Sequence, residues 1–227
     1  MKVSIMQPTF IPWVGYFKMI MSCDLFIFLD DVQFEKRSFQ SRNKILINNE
    51  EKIISVPTHV KNKFKQTINE VEINYNEKWV EKHLKSIEFN YKKHEFFMEN
   101  FEFISKILNR REKKLVNLNL KLIIEICKYL NIKTKFQLAS SYDVNEKKGL
   151  RIFELLKKTK ATKYLSPIRS KEYLDENTEI FRNNNFKIEY LEYKCQNYSQ
   201  KNSDNFISHL SIIDLLFNKG KNSKNFV

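Results

Sequence analysis

Two adjacent carboxylates and two arginines lie close together near the start of the chain. Asp30 and Asp31 follow an apolar run, and Arg37 and Arg42 come soon after them. Adjacent residues at a strand end point to opposite sides, so only one of the two carboxylates can face a given pocket. A carboxylate at the end of a strand can act as a general base, or bind hydroxyl groups or a metal ion. A guanidinium binds phosphate or carboxylate through two parallel hydrogen bonds, which an ammonium group cannot do. The alternative is a structural Asp–Arg pair, and the residue pattern leaves both interpretations open.

The loop before these carboxylates is a second candidate for ligand binding. It holds two of the four prolines of the chain and one of its three glycines. Glycine near the start of a helix lets a ligand approach the backbone, and the first N–H groups of a helix attract anions. Aromatic side chains beside it can flank a sugar ring, although a core-packing turn is the alternative. The expected ligand-binding residues of the loop are Gln7, Pro12, Trp13, Gly15 and Tyr16.

Other polar residues are candidates because they lie at predicted strand or helix ends. His59 follows Pro57 and Thr58 and is the histidine best placed to act as a titrating base. We predict catalytic roles for Asp30, Asp31 and His59. Further binding residues are expected at Gln33, Arg37, Ser38, Arg42, Asn43, Ser166, Tyr173 and Asp214.

Two of these candidates have a purely structural alternative, and no metal site is expected. The spacing of Ser211 and Asp214 is also that of a helix capping box. Ser166 stands where a serine often simply ends a strand. The histidines and cysteines lack the spacing of a metal site, so we predict none.

The net charge of +13 suggests nucleic-acid binding at first sight. However, 33 of the 40 basic residues are lysines, and they are spread over every segment. We therefore expect no specific DNA binding, and the basic surface suits small anions such as nucleotide sugars. The chain has neither a signal-peptide pattern at its start nor an apolar run as long as a membrane span. We predict a cytoplasmic protein without a transmembrane segment.

Strands and helices alternate at both ends of the sequence, around a helical middle. Apolar runs predict strands over 3–6 and 25–29 with a helix over 13–21 between them, and this crossover predicts a parallel pair. A hairpin is expected over 44–47 and 52–56, with a further strand at 71–73. Helices are expected over 77–91, 95–108 and 115–130. Asn76 is the expected N-cap of the first of these helices. Strand–helix alternation resumes with a strand at 136–138, a helix at 146–158, a strand at 162–166, a helix at 170–183 and a strand at 186–193.

These elements predict an α/β fold with a mainly parallel sheet. We expect one domain over 1–227, in which 77–130 form a mostly helical section and 219–227 a flexible tail.

The first 43 residues, which contain the Pro-rich loop and the two carboxylates, resemble the WbqC-like protein family. The resemblance runs over nearly the whole chain. Its anchors are 7–8 through 16–17, 28–34, 36–40, 42–43, Tyr164-Leu165-Ser166, Tyr173-Leu174, Tyr198 with Gln200, and 210–218 with Gly220. The resemblance implies a role in bacterial surface-polysaccharide (O-antigen) biosynthesis. It further implies an N-acyl or aminoacyl (glycyl) transferase that acts on a nucleotide-linked amino sugar, with ATP or an activated acyl donor as the co-reactant.

A second resemblance concerns the fold. The strand, Pro-rich loop and Gly-containing helix are similar to the nucleotidyltransferase and pantothenate-synthetase superfamily, which implies a Rossmann-like sheet and a nucleotide pocket. Those proteins carry His-x-Gly-His at the helix start, whereas here Trp13-Val14-Gly15-Tyr16 keeps only the glycine. An ATP-dependent amide ligase or nucleotidyltransferase-like enzyme, and a non-catalytic nucleotide-sugar-binding or assembly protein, stay open as alternatives. A homodimer is compatible with each of them.

Overall fold

A computed structural model describes residues 1–60, 65–175, 178–201 and 203–227, without the side chains of Tyr173 and Asp175. The strands are Lys2–Met6 (β1), Leu25–Phe28 (β2), Arg42–Ile47 (β3), Glu50–Ser55 (β4), Lys135–Leu138 (β5), Lys163–Pro167 (β6) and Lys187–Leu191 (β7). The helices are Val14–Met21 (α1), Trp79–Tyr91 (α2), Phe97–Asn109 (α3), Leu115–Tyr129 (α4), Lys148–Lys158 (α5), Lys171–Asp175 (α6), Thr178–Asn183 (α7) and Ile212–Lys219 (α8). Within these residues, no helix has the length and apolar character needed to cross a membrane.

The chain forms two compact units, each assembled from separate stretches of sequence. Unit 1 consists of residues 1–7, 18–31 and 132–194. Unit 2 consists of residues 8–17, 32–131 and 195–227. A single domain over 1–227 stays a prediction.

Unit 1 is built around a five-stranded sheet with the order β5-β2-β1-β6-β7, in which every neighbouring pair is parallel. β1 and β2 lie side by side, with Val3 opposite Leu25 and Met6 opposite Phe28, which confirms the predicted pair. Chain order reverses between β1 and β6, as it does in Rossmann-like sheets. The predicted α/β fold with a mainly parallel sheet is therefore confirmed, and the nucleotidyltransferase type stays a prediction.

Apolar side chains on both faces explain why the central strands of unit 1 are continuous apolar runs. Val3, Ile5, Leu25 and Ile27 are at most 5% exposed and belong to one core cluster with the buried apolar residues of α5. The alternate residues of β2 point to the opposite face, where Phe28 stacks on Phe136 with ring centroids 5.4 Å apart.

Among its described residues, unit 2 contains the hairpin of β3 and β4 and the helices α2, α3, α4 and α8. β3 and β4 pair antiparallel from Arg42 opposite Ser55 to Ile47 opposite Glu50, as predicted for a hairpin. The helices α2, α3, α4 and α8 each bury an apolar stripe. In the aromatic cluster of this unit, the ring of Phe217 lies 4.8 Å from that of Tyr91 and 5.4 Å from that of Phe97.

The structure corrects three of the predicted elements. The helix expected over 170–183 is divided into a 3₁₀ turn at Ile168–Ser170, α6 and α7, and residues 176–177 lie outside the described part. Residues 71–73 form isolated bridges, because Glu72 and Ile73 each pair with a different segment. Asn76 is not the N-cap of α2: its N–H donates to the Asn74 side chain at 2.9 Å in a turn, and Lys78 precedes the first helical residue.

The last residues of the chain, for which we expected a flexible tail, form a 3₁₀ helix over Gly220–Phe226. Ser223 is fully buried and donates a hydrogen bond to the carbonyl of Leu215 at 3.2 Å, and Val227 is 5% exposed. These contacts pack the segment onto α8.

Candidate functional site

Asp30 ties the ends of two neighbouring strands together in unit 1. It follows β2, and its carboxylate accepts hydrogen bonds from the N–H and the hydroxyl of Ser140 at 3.0 and 2.7 Å. Ser140 lies just after β5, which pairs with β2 in parallel, so both strands end at the same edge of the sheet. Asp30 is 2% exposed. Asp30 therefore links the C-terminal ends of β2 and β5 at one edge of the sheet.

Asp31 has a different environment, as expected for adjacent residues that point to opposite sides. Its carboxylate forms an ion pair with the guanidinium of Arg151 on α5, and the two side chains are 19% and 11% exposed. Arg151 also donates to the backbone carbonyl of Val144. The structure thus contains an Asp–Arg pair, and the arginine is Arg151.

Electrostatics and hydrogen bonding distinguish Asp31 from an ordinary surface carboxylate. Burial raises the pKa of Asp31 above 3.8, and the neighbouring charge of Asp30 raises it further, while Arg151 lowers it. Oδ1 of Asp31 and Nε of Arg151 are buried and have no hydrogen-bond partner among the described residues. Buried polar groups are usually satisfied, so these two unsatisfied atoms make the pair a candidate for a further interaction.

Gln7 and Ser166 flank the point where the strand order reverses. Gln7 directly follows β1, and Ser166 is the penultimate residue of the adjacent strand β6. In open α/β sheets, ligands bind in the crevice at this place. Ser166 is fully buried and shares a short hydrogen bond with the hydroxyl of Ser170, which itself donates to the carbonyl of Pro167 at 2.6 Å.

In unit 2, two side chains hold the Pro-rich loop through hydrogen bonds to its backbone carbonyls. Asn43 donates to the carbonyls of Phe10 and Ile11 at 3.0 and 2.8 Å, and Ser211 donates to that of Ile11 at 2.8 Å. Ile11 is fully buried and has a φ of 39°, a conformation that β-branched residues rarely adopt. The loop is therefore held in a strained shape by its neighbours, and the amide nitrogen of Asn43 is used for that purpose.

Trp13 is held between a glycine and a histidine. Its ring stacks on that of His209, with centroids 5.0 Å apart and planes inclined by 27°. On Gly15, an added Cβ would lie 2.3 Å from the indole. Any side chain larger than that of glycine at position 15 would therefore overlap the indole.

Asp214 lies at the centre of a buried hydrogen-bond network in unit 2. Its carboxylate accepts from the hydroxyls of Tyr91 and Tyr198 at 3.0 and 2.7 Å and from the amide of Gln200 at 3.0 Å. Burial raises its pKa, while the three hydrogen bonds lower it. Ser211 caps α8 by accepting from the N–H of Ile213, and Asp214 does not complete the capping box.

The remaining predicted residues have the following environments. Tyr16 is 2% exposed, and burial raises its pKa well above 10.0. The carbonyl of Pro12 accepts from the N–H of Ile212 at 2.9 Å, and the Ser38 hydroxyl donates to the carbonyl of Glu35 at 2.8 Å. Gln33, Arg37 and His59 are exposed, Arg42 is half-buried, and the side chain of Tyr173 lies outside the described residues.

The predicted site residues divide between the two units. Gln7, Asp30, Asp31 and Ser166 belong to unit 1, whereas the loop residues from Pro12 to Tyr16 and those from Gln33 to His59 belong to unit 2. Their convergence on a single cleft stays a prediction. Two grooves of unit 1, with volumes of about 370 and 430 Å³, are lined by none of these residues.

Sequence reasoning missed the partners that define these environments. Arg151 and Ser140 lie more than 100 residues from the carboxylates they contact. Arg151 did carry a signal, because it is one of only seven arginines in a lysine-rich chain. Nothing local marks His209 as the partner of Trp13, since the pairing depends on two distant loops.

Comparison with known proteins places the chain in a family. The model of the WbqC-like protein family matches residues 7–226. A protein of Mycobacterium tuberculosis (strain ATCC 25618 / H37Rv), described as "Uncharacterized protein Rv1507c", is 33% identical over 227 residues, which cover 100% of this chain and 97% of that protein. No solved structure matches the chain. With nearly its whole length matched, the chain belongs to the WbqC-like protein family.

Proposed function

We propose that this chain is a cytoplasmic transferase that attaches an acyl or aminoacyl group, such as glycyl, to the amino group of a nucleotide-linked sugar. The resemblance to WbqC-like proteins supplies the context, which is the assembly of a bacterial surface polysaccharide. The observation that carries the proposal is the half-buried Asp31–Arg151 pair at the carboxyl edge of the unit 1 sheet, with an acceptor and a donor still unused.

Asp31 has the chemistry required of the general base. An amino group on a sugar must lose a proton while its nitrogen attacks an activated carbonyl carbon. The new C–N bond forms, the bond from that carbon to its leaving group breaks, and the leaving group takes the bonding electrons. The released proton goes to the carboxylate of Asp31, whose pKa burial raises toward the range of an effective base.

Arg151 has two expected tasks in this step. It holds the carboxylate of Asp31 in place through their ion pair. Its unused Nε–H is the kind of donor that stabilises negative charge as it develops on a carbonyl oxygen. Removing either member should therefore reduce turnover more than substrate binding.

The order of the sheet supports a nucleotide-linked substrate. Strand order reverses between β1 and β6, and ligands of Rossmann-like sheets bind where this reversal occurs. Gln7 follows the first of these strands, and Ser166 is the penultimate residue of the second. We propose that Gln7 contacts the substrate there.

The proposal is tested by product formation. The protein is incubated with glycine, ATP and a UDP- or dTDP-linked amino sugar, and the mixture is analysed by mass spectrometry for the N-glycyl sugar nucleotide. A parallel reaction replaces glycine and ATP with an acyl thioester. We expect an amide product in one of these reactions and its loss in Asp31→Asn, which keeps the shape but removes the base. Asp143→Asn is the matched control, because Asp143 is exposed in the same unit.

The same experiment separates the alternatives. A product that requires both free glycine and ATP identifies an amide ligase, whereas a product from the thioester alone identifies an acyltransferase. Full activity of Asp31→Asn would contradict the role of Asp31. A thermal shift with the sugar nucleotide but no product in any reaction would favour a non-catalytic binding protein.

A further inference from the structure

Trp13 and His209 form a stacked pair of rings that the catalytic proposal does not use. The two rings stack with centroids 5.0 Å apart, and Gly15 leaves the space that the indole occupies. Trp13 is half-buried, whereas His209 is exposed. The imidazole is thus the more exposed ring of a two-ring stack, and the indole lies beneath one of its faces.

The backbone holds the imidazole of His209 in this position at a cost in free energy. His209 has a φ of 60°, in the left-handed region, which non-glycine residues seldom adopt. The following segment fixes this conformation, because Leu210 is 3% exposed and the N–H of Ser211 donates to the carbonyl of Lys44 at 2.8 Å. Strained residues of this kind persist where the surrounding structure imposes them, and they are concentrated at ligand sites.

We infer that His209 is a stacking platform for the nucleobase of a nucleotide ligand and that Trp13 is the positioning residue beneath it. This inference rests on the proposed function only for the class of its ligand, a nucleotide, and both rings that form the platform belong to unit 2. A flat, exposed ring supported from below suits another flat ring, because every nucleobase has a π face that stacks on aromatic side chains. The hydroxyl of Ser208, which lies 2.7 Å from Nδ1 of His209, fixes the orientation of the imidazole.

Helix α8, which follows His209, does not provide an alternative binding site for an anion at its N-terminus. The first N–H groups of α8 are already used: Ile212 donates to the carbonyl of Pro12, Ile213 to the hydroxyl of Ser211, and Asp214 to the carbonyl of Ser211. An anion would find no free donor among them. Recognition at this place therefore depends on the ring of His209.

The test measures the binding of uridine 5′-monophosphate and of ribose 5-phosphate, which lacks the base. Trp79 is 2% exposed and is the second tryptophan of the chain, so Trp79→Phe makes Trp13 the single indole whose emission reports on binding. Calorimetry on the unmodified protein gives the affinities independently. We expect the monophosphate to bind and to change the emission of Trp13, and ribose 5-phosphate to bind at least tenfold more weakly.

Two substitutions of His209 separate the stacking function from effects on the fold. His209→Gly removes the ring and also relieves the strain at φ 60°, so the variant should melt at the same temperature or higher. We expect it to bind the monophosphate roughly 5- to 150-fold more weakly, the range for the loss of one base–ring stack. His209→Phe keeps a flat ring and should stay within about threefold of the original affinity.

Three results would overturn the inference. They are unchanged affinity in His209→Gly, equal affinity for ribose 5-phosphate, and no binding of the monophosphate to the unmodified protein. This test is independent of the proposed function, because it measures nucleotide binding and no reaction product. If the protein binds the monophosphate through His209 but forms no amide, only the transferase proposal is contradicted. If the protein forms the amide while His209→Gly binds the monophosphate normally, only the stacking role of His209 is contradicted.

Discussion

Asn43 and Ser211 donate hydrogen bonds to the same atom, the carbonyl oxygen of Ile11, each at 2.8 Å. They are separated by most of the chain, yet together they fix the strained loop that carries Trp13. Asn43 stays a predicted substrate-binding residue, and its amide nitrogen is used on the backbone of the loop.

Replacing Asn43 should therefore destabilise the fold. Asn43→Ala removes the donor to two buried carbonyls, those of Phe10 and Ile11, and should lower the free energy of unfolding by about 1–3 kcal/mol. Urea denaturation measures the effect. Asn117→Ala is the control, because Asn117 is exposed on α4 and its loss should change stability by less than about 0.5 kcal/mol. Equal behaviour of the two variants would refute the role of Asn43 in holding the loop.

The network around Asp214 predicts a pH-dependent effect of Tyr198→Phe. Burial raises the pKa of Asp214 in the folded protein above its ordinary value of 3.8. This group therefore contributes most to the stability of the fold below pH 3.8, and the contribution is lost as pH rises through the folded-state pKa. The Tyr198 hydroxyl favours the charged carboxylate and lowers that pKa. Without it, stability at pH 7 should fall by about 1.5–3 kcal/mol, and the deficit should shrink in acid.

Urea denaturation across a pH series checks this expectation. Tyr142→Phe is the control, because its hydroxyl contacts the Gln137 side chain at the surface. A deficit for Tyr198→Phe that is constant with pH would show that Asp214 does not titrate in the expected way.

If Asp31 is the base, turnover should rise with pH through the pKa of its carboxyl, because only the charged form accepts a proton. Burial raises this pKa and Arg151 lowers it. Arg151→Gln should therefore move the rising limb of the kcat profile to higher pH. Arg169→Gln alters an exposed arginine of the same unit and should leave the profile in place. An unshifted limb in Arg151→Gln would exclude Asp31 as the group that titrates.

Gly15→Ala should be destabilising although it replaces a helical glycine. Alanine normally gains about 0.5–1 kcal/mol at such a position. Here the new Cβ would lie 2.3 Å from the indole of Trp13, and the overlap should cost about 1–3 kcal/mol, seen as a lower melting temperature. In a Trp13→Leu background the same change should be neutral or stabilising. A higher melting temperature in the unmodified background would contradict the close packing.

The sheet of unit 1 could be predicted because its information is local. The apolar runs around Ile5 and Ile27 are short, bounded by polar residues and joined by one helix, and the crossover rule then predicts parallel pairing. The exact ends of the helices and strands were harder to predict from the sequence. Asn76 has the chemistry of an N-cap, but a neighbouring asparagine side chain holds its N–H in a turn and the helix begins three residues later.

The site could be predicted only in part because its geometry depends on distant contacts. The alternation of side chains along a strand correctly predicted different environments for Asp30 and Asp31. It could not reveal that Arg151 pairs with Asp31, since 120 residues separate them. Asp214 shows the same limit: a capping box and a buried acceptor have identical sequence spacing, and only the positions of Tyr91 and Tyr198 distinguish them.

The assembly of unit 2 from three stretches of chain has a consequence for biosynthesis. Tyr91 and Asp214 are 123 residues apart, and the last stretch of the unit begins at Cys195. At ~5–20 residues per second, the ribosome needs about 6–25 s to make the intervening chain. During that interval the apolar faces of α2 and α3 have no α8 to cover them. Nascent chains that stall before residue 195 should therefore require a chaperone to stay free of aggregates.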